Sequence, residues 1–159
     1  MQEILELLEN EARLSTKEIA FMLNLPEEEV RRKIKELEEN KTILRYLTII
    51  NWEKAGEEKV TALIEVRLTP QRDIGFDAIA ERIYRFPEVK SVYLMSGVYD
   101  LAVFVEGLSM KEVSNFVATR LATIEGVTRT ATHFVMKTFK REGVILEDQE
   151  QERRLVISP

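Results

Sequence analysis

Apolar residues recur every three or four positions over the first forty residues, change to every second position from Val60, and then switch between the two periods up to about residue 139. The first rhythm is that of helices with one buried face, the second that of strands with one buried face. Ile4, Leu5 and Leu8, with Leu7 beside them, predict a short opening helix that closes at Asn10 and Glu11. Ser15-Thr16-Lys17-Glu18 has the spacing of a capping box, in which the serine side chain and the glutamate three residues on satisfy each other's free backbone N–H groups. A second helix is expected from Thr16 to Leu23, burying Ile19, Ala20 and Leu23. Asn24 tolerates the left-handed conformation that ends a helix, and Leu25-Pro26 turns the chain before it restarts at Glu27. A third helix, Glu27 to Glu38, buries Val30, Ile34 and Leu37 and spreads Arg31, Arg32, Lys33 and Lys35 around the rest of its circumference. Three helices, the last two separated by a short turn, make the helix-turn-helix pattern, whose final helix fits the DNA major groove. A trihelical packing module without a nucleic-acid role has the same pattern.

Ile43 to Trp52 is rich enough in β-branched and aromatic residues to predict a strand leaving the helical module. The polar run Glu53 to Glu58 then marks a boundary, giving expected domains 1–50 and 51–140 and a tail, 141–159. Val60, Ala62, Ile64, Val66 and Leu68 alternate with Thr61, Glu65 and Arg67 in a strand that Pro70 stops. Phe76, Ile79, Ala80 and Ile83 mark a helix ended by Phe86-Pro87, and Val89 to Met95 form the next strand. The order then repeats: a strand at Leu101–Val105, a second capping box at Ser109-Met110-Lys111-Glu112, and a helix burying Val113, Phe116, Val117 and Leu121. Gly126 sits where a helix cap is expected, and a long strand runs from Val127 to Phe139. Strand-helix-strand twice over predicts the split βαβ, or ferredoxin-like, arrangement, an antiparallel sheet of four strands with both helices on one face.

The other sheet face would present Leu63, Leu94, Ala102, Phe104, His133 and Val135, or their in-register neighbours, an apolar area that a monomer seldom leaves in water. Homo-oligomerisation, sheet face to sheet face, is the expected remedy. In the tail, Val144-Ile145-Leu146 and Leu155-Val156-Ile157 are strand-like pieces on either side of a charged run.

Between the two central strands lies Ser96-Gly97-Val98-Tyr99-Asp100, read as the turn of a hairpin. Gly97 supplies the positive φ of a tight reversal and a bare backbone open to a ligand, and Asp100 puts a carboxylate beside it. Gly and Asp also dominate ordinary turns, so from these residues alone both readings stand.

Composition removes several classes of chemistry. There is no cysteine and one histidine, His133, which excludes disulfides, thiol catalysis, thiolate metal sites and multi-histidine metal centres. No metal, cofactor or catalytic residue is assigned. No apolar stretch approaches the roughly 20 residues of a membrane helix, and the acidic, amphipathic start is unlike a signal peptide, so a cytoplasmic protein with no membrane partner is expected. The net charge is −5, with 8 bases against 11 acids in residues 1–50. Nucleic-acid contact therefore depends on the local cluster in the third helix, with Arg45 as a flanking phosphate ligand.

In this order, helix-turn-helix, connecting strand, split βαβ and Gly-x-Tyr-Asp hairpin, the chain resembles the Lrp/AsnC family of feast/famine transcriptional regulators. The resemblance covers about residues 1–140. It is carried by Ala12-Arg13-Leu14-Ser15, by Leu37-Glu38 leading to Ile43 and Tyr46, by Ser96 to Asp100, and by the final strand from Gly126 to Met136. Three positions depart from the family: Pro26 for the usual capping serine, Lys41 for the glycine that closes the recognition helix, and Lys33 for an arginine. Lys41 must then carry any positive φ at a steric cost.

The implied fold is α+β, an N-terminal helix-turn-helix (winged-helix-like) domain joined by a strand to a ferredoxin-like βαββαβ effector-sensing domain. The implied partners are double-stranded DNA, a small-molecule effector, commonly an amino acid, and further copies of the chain, a dimer that often assembles to an octamer. DNA contact is expected from Arg31, Arg32, Lys33, Lys35 and Arg45. The effector pocket, which in the family lies between sensor domains, is expected from Leu94, Met95, Ser96, Gly97, Val98, Tyr99 and Asp100, with His133, Phe134 and Val135 as a second wall. Backbone N–H groups around Gly97 would take an amino acid's carboxylate and Asp100 its ammonium, with Met95, Val98 and Phe134 setting selectivity. His133 is either a pocket wall or a hydrogen-bonded sheet residue. An effector-binding or assembly protein of this fold with weak or lost DNA binding is the alternative, favoured by the acidic turn Glu27 to Glu29. An enzyme on this fold lacks nucleophile-base pairs and metal clusters.

Overall fold

Three helices form where the apolar spacing puts them, α1 (Gln2–Asn10), α2 (Thr16–Leu23) and α3 (Glu27–Glu39), in a computed structural model that describes residues 1–69 and 75–146. The chain divides into two compact units, Met1–Ile50 and Asn51–Pro159. In the first, Ile4, Leu8, Ile19, Ala20 and Val30 form the core, against which Leu23, Leu25, Ile34 and Ile43 pack half-buried. The capping box of α2 is complete: the Glu18 N–H donates to the Ser15 hydroxyl at 3.2 Å, and the Ser15 N–H donates to the Glu18 carboxylate at 2.7 Å. Asn24 closes α2 in the left-handed region, at φ 51° and ψ 46°. Lys41, after α3, has φ 64°, the strained conformation that glycine would adopt freely.

No wing strand forms among the described residues of this unit, and the expected strand at Ile43–Trp52 is absent: residues 44–51 carry no secondary structure. A strand needs a neighbour for its N–H and C=O groups, and no strand of the described residues is paired with this segment. Leu44, Tyr46, Leu47 and Ile50 are exposed there.

In the second unit β1 (Val60–Leu68), α4 (Phe76–Tyr84), β2 (Val89–Leu94), β3 (Leu101–Gly107), α5 (Met110–Phe116) and β4 (Val127–Phe134) follow in order. The strands lie as β2-β3-β1-β4, each antiparallel to its neighbour. Ala62, Ile64, Val66 and Leu68 from β1 and Leu101, Val103 and Val105 from β3 pack against Ile79 and Ile83 of α4 and against Val113 and Phe116 of α5. Fully burying such a side chain contributes about 1.5–3 kcal/mol, which makes this face the main source of stability. After α5 a π-helical turn, Val117–Leu121, adds one residue per turn and brings Val117 and Leu121 into the same core. Gly126 (φ 95°) passes so close to α4 that a Cβ there would lie 2.6 Å from Ile79 Cδ1.

Several expectations shift. The second capping box is half-formed: Ser109 accepts from the Glu112 N–H, but Glu112 accepts from Leu108 rather than Ser109. β4 ends at Phe134, not Phe139, because β1 begins at Val60 and Val135 donates to Thr61, leaving no strand beyond to pair with. Leu63, Ala102, Phe104 and His133 do share the face opposite the helices, since Leu63 pairs with Phe104 and His133 and Glu65 pairs with Ala102. Leu94 does not; it pairs with buried Leu101, and Tyr93, opposite Ala102, takes the place on that face. Past β4, β5 (Lys140–Arg141) and β6 (Val144–Ile145) make a small hairpin. Pro70 and Leu155 to Ile157 lie outside the described residues.

Candidate nucleic-acid interface and effector site

On a helix of 3.6 residues per turn, burial of Val30 and Leu37 turns Glu28, Arg32, Lys35 and Glu39 outward, with Arg31 alongside. Most of these bases already have an acid. Arg31 Nη2 lies 2.9 Å from Glu27 Oε1 and 3.9 Å from Glu28 Oε1, Lys33 Nζ 2.6 Å from Glu29 Oε1, and Lys35 Nζ 3.7 Å from Glu39 Oε1. Thr16 also donates to Glu27 at 2.9 Å, tying α2 to α3. Its hydroxyl, then Arg31, holds the Glu27 carboxyl below the usual glutamate range, and the Lys33 ammonium does the same for Glu29. Lys33, with 24% of its side chain exposed, sits at the edge of the buried stripe rather than on the outward one. Arg32 is the one base of the four with no ion pair among the described residues. Arg45 is exposed on the irregular segment after α3. Next to it Tyr46 donates to Glu38 at 2.9 Å, and burial, then that carboxylate, raises the phenol's pKa.

The hairpin between β2 and β3 forms as expected, closed by the Met95 N–H donating to the Asp100 carbonyl at 2.8 Å. Gly97 takes the expected positive φ, 158°, a backbone conformation that L side chains rarely adopt, although a Cβ there would meet nothing within 4 Å. Backbone conformation rather than a contact inside the chain is what favours glycine at this point. The N–H groups of Ser96, Gly97, Val98 and Tyr99 make no hydrogen bond among the described residues, and Leu94, Met95 and Val98 are exposed. Asp100 is anchored instead. Its N–H donates to the Val66 carbonyl at 3.0 Å and one carboxylate oxygen accepts the Leu68 N–H at 2.7 Å, where the β1–β4 register shifts between Arg67 and Leu68.

Within one chain the expected second wall does not meet the hairpin. His133 pairs with Leu63, whereas Asp100 lies beside Leu68, so roughly 17 Å of β1 at about 3.3 Å per residue separates them. Alternation also splits the three residues. Phe134 turns to the helix side and packs on the core, while His133 lies on the open face with Nε2 3.3 Å from Glu65 Oε1. Val135 is exposed at the end of β4.

What does lie near the hairpin is a polar cavity of about 120 Å³ lined by Glu65, Arg67, Tyr99, Arg129 and Ala131. Sequence reading placed Glu65 and Arg67 on the solvent side of a strand but missed the grouping. The signal was present in the polar phase of the two strands; bringing Arg67 opposite Arg129 requires the β1–β4 register.

Residues 2–38 match the family model for the AsnC-type helix-turn-helix domain, and residues 61–145 that for the Lrp/AsnC ligand binding domain. The uncharacterised HTH-type transcriptional regulator YugG of Bacillus subtilis (strain 168) is 48% identical over 158 residues, spanning 99% of this chain and 95% of its own length. A transcriptional regulator of Neisseria meningitidis, solved as an L-Met complex, is 24% identical with a TM-score of 0.72, over 94% of this chain and 95% of its own. A feast or famine regulatory protein of M. tuberculosis, solved with L-methionine, is 21% identical with a TM-score of 0.74, over 88% and 92%. At those identities the two structures share this chain's fold. Among the described residues, no helix is long and apolar enough to cross a membrane.

Proposed function

The chain belongs to the Lrp/AsnC family of transcriptional regulators, and from that premise we propose how its two units divide the work. The helical unit binds duplex DNA through Arg31, Arg32 and Lys35, with Arg45 on a flanking phosphate. The hairpin Leu94 to Asp100 takes a small-molecule effector, an amino acid. L-methionine in two structural neighbours belongs to those proteins and supports the class of ligand only. The observation that carries this reading is the run of four backbone N–H groups, Ser96 to Tyr99, with no acceptor among the described residues, beside a carboxylate held in place. Backbone donors of that kind suit an α-carboxylate, and the second oxygen of Asp100 suits an ammonium.

The wall formed by His133 and Val135 then comes from another copy, in an assembly of dimers that closes to an octamer in the cytoplasm. The open sheet face supplies apolar area for such contacts. An effector held between copies alters DNA binding by favouring one assembly over another, and by no more than the difference in its affinity for the two.

Thermal shift of the full chain against the twenty amino acids tests the site, because a ligand selective for the folded assembly raises its melting temperature by mass action. Asp100→Asn keeps an acceptor for the Leu68 N–H and removes the charge; it should fold and lose the shift. Asp100→Ala also leaves that part-buried N–H without its partner and should cost about 1–3 kcal/mol in denaturant unfolding. A normal response from Asp100→Asn would leave the hairpin as a turn and nothing more.

A second reading, an effector-binding protein with weakened DNA contact, is favoured by the ion pairs that occupy Arg31, Lys33 and Lys35. A salt titration of duplex binding separates the two. Phosphate contacts give a steep loss of affinity with salt, and their absence gives a flat line.

A further inference from the structure

One acid of α3 is held from outside its own helix. Glu27 Oε1 accepts from Arg31 Nη2 at 2.9 Å and, at the same distance, from the Thr16 hydroxyl at the start of α2. A single carboxylate oxygen thus uses both lone pairs on partners fixed by two helices. Among the described residues no other acid of α3 bonds a residue of α2; Glu29 meets Lys33 and Glu39 meets Lys35, each within α3. An exposed pair one turn apart on a helix is ordinarily loose and worth little. The bond from Thr16 is part-buried and spans 11 positions of sequence, so it fixes Glu27 where its own helix would leave it free to swing.

Arg31 inherits that position. Its guanidinium carries N–H donors in a rigid fork, and Nη2 alone has a partner among the described residues, which leaves Nε and Nη1 to donate elsewhere. With 60% of its side chain exposed, Arg31 lies one turn from the N-terminus of α3, the end whose residues reach base edges in a major groove. Guanine presents two acceptors there, O6 and N7, matched to the N–H groups of an arginine. A phosphate competes for the charge that Glu27 already meets, and drawing Arg31 onto it breaks the pair. A base edge carries no full charge and takes the donors that Glu27 leaves over. The Thr16 bond makes the first event less favourable and does not touch the second.

We propose, resting on the assignment of DNA to the helical unit, that Glu27 is a positioning residue: held by Thr16, it commits Arg31 to a guanine edge and withholds it from the phosphates of arbitrary sequence. On arbitrary duplex Arg31 must leave Glu27 to reach a phosphate, and part of the gain is lost. Where a guanine lies in reach, Arg31 keeps Glu27 and adds a base contact with a side chain already ordered, so less rotamer freedom remains to be lost. The pair weakens binding everywhere and weakens it least on the sequence that is read. Discrimination is a difference of that kind.

The full chain is used to enrich binders from a pool of duplexes with a randomised centre, and affinity is then measured by anisotropy for an enriched duplex and for one scrambled to the same composition. Wild type should enrich a guanine whose replacement weakens binding by about 5- to 100-fold, the span of one bidentate arginine contact, and Arg31→Ala should lose that preference. Glu27→Gln keeps an acceptor for Thr16 and removes the charge that holds Arg31. Its affinity for the scrambled duplex should rise about two- to threefold, while discrimination at the guanine should fall by about fivefold or more. T16V keeps the charge and loses the anchor, and should lose discrimination as well; T16S restores the hydroxyl and should recover it. Melting temperatures taken alongside show that each variant is folded. Equal shifts on both duplexes in E27Q and T16V, or a guanine preference that R31A or E27Q retains, would make Glu27 a tie between helices and overturn the proposal. A wild type that binds with a steep salt dependence but enriches no sequence overturns it and leaves DNA binding in place. A flat salt line with no enrichment overturns both, because the helical unit then binds no duplex.

Discussion

Two sets of arginines and lysines in this chain are built from the same side chains and placed in opposite electrostatic settings. On α3, Arg31, Lys33 and Lys35 each have a glutamate one helical turn away; on the sheet, Arg67 has Arg129 opposite it and no ion pair among the described residues. The helix matches charge within one short segment, because residues four apart share a face and the sequence can write both members of the pair. Across strands the neighbour comes from 62 positions further along, and register alone decides who meets whom. The functional consequence differs as well. A base held by its own helix exchanges one partner for another when it meets a phosphate, so part of the gain is spent on releasing the glutamate. Arginines without an acid among the described residues have no such partner to release.

The strongest way to break this comparison is to delete the exposed bases of α3. Arg31→Ala with Arg32→Ala should weaken duplex binding by about 10- to 100-fold, in the range of roughly 1–3 kcal/mol for a lost arginine contact. The salt slope should fall by about two units, one for each phosphate contact. Arg32 is expected to account for more of the loss than Arg31, since Arg31 is shared with Glu27. Arg67→Gln should leave duplex binding as it was. If the sheet variant instead carried the loss in a filter-binding or anisotropy titration, the assignment of DNA to the helical unit would be wrong.

The same contrast explains what could be read in the sequence. Ser15 and Glu18, Asn24, and the buried stripe Val30, Ile34 and Leu37 are local signals, and each led to the element it promised. The two strand-helix-strand halves were legible because alternation in β1 is strict. Where a feature depended on a partner strand, local pattern was insufficient. Ile43 to Trp52 has strand composition but is paired with no strand among the described residues, and β4 stops where β1 runs out. Of the candidate site, the hairpin and Asp100 were visible as turn chemistry. The separation of His133 from that hairpin, the turn of Phe134 into the core and the pairing of Arg67 with Arg129 all follow from register, which period-two spacing leaves open.

A smaller effect sharpens the helical side. Glu18, Glu27 and Glu29 are held below the ordinary carboxylate range, by the Ser15 hydroxyl, the Thr16 hydroxyl and the Lys33 ammonium in turn. A depressed carboxylate stabilises the fold fully above its unfolded pKa and loses that contribution as pH falls through its folded pKa. The helical unit should therefore lose stability with acid across that window, starting near the ordinary glutamate pKa. Residue-resolved hydrogen exchange against pH would follow it, and Glu18→Gln should flatten part of the dependence. A pH-independent helical unit would mean that these bonds do not persist in solution.

The smallest expected change probes the direction in which α3 meets a phosphate. Glu28 lies on the outward stripe in the first turn, 86% exposed, and only 3.9 Å from Arg31, so it adds little to the ion pair that Glu27 already makes. An acid in a first turn is favourable to its own helix, because it faces the positive end of the dipole. The same acid repels a phosphate approaching the end that a recognition helix presents to DNA. Glu28→Gln thus acts with opposite signs on two measurements: melting temperature should fall slightly, while duplex affinity should rise about two- to threefold at low salt, the small effect expected of one exposed charge. The gain should shrink as salt screens the repulsion. Affinity that fell together with stability would place the phosphates away from the N-terminus of α3, and would make its paired glutamates a structural feature of the helix rather than a brake on DNA binding.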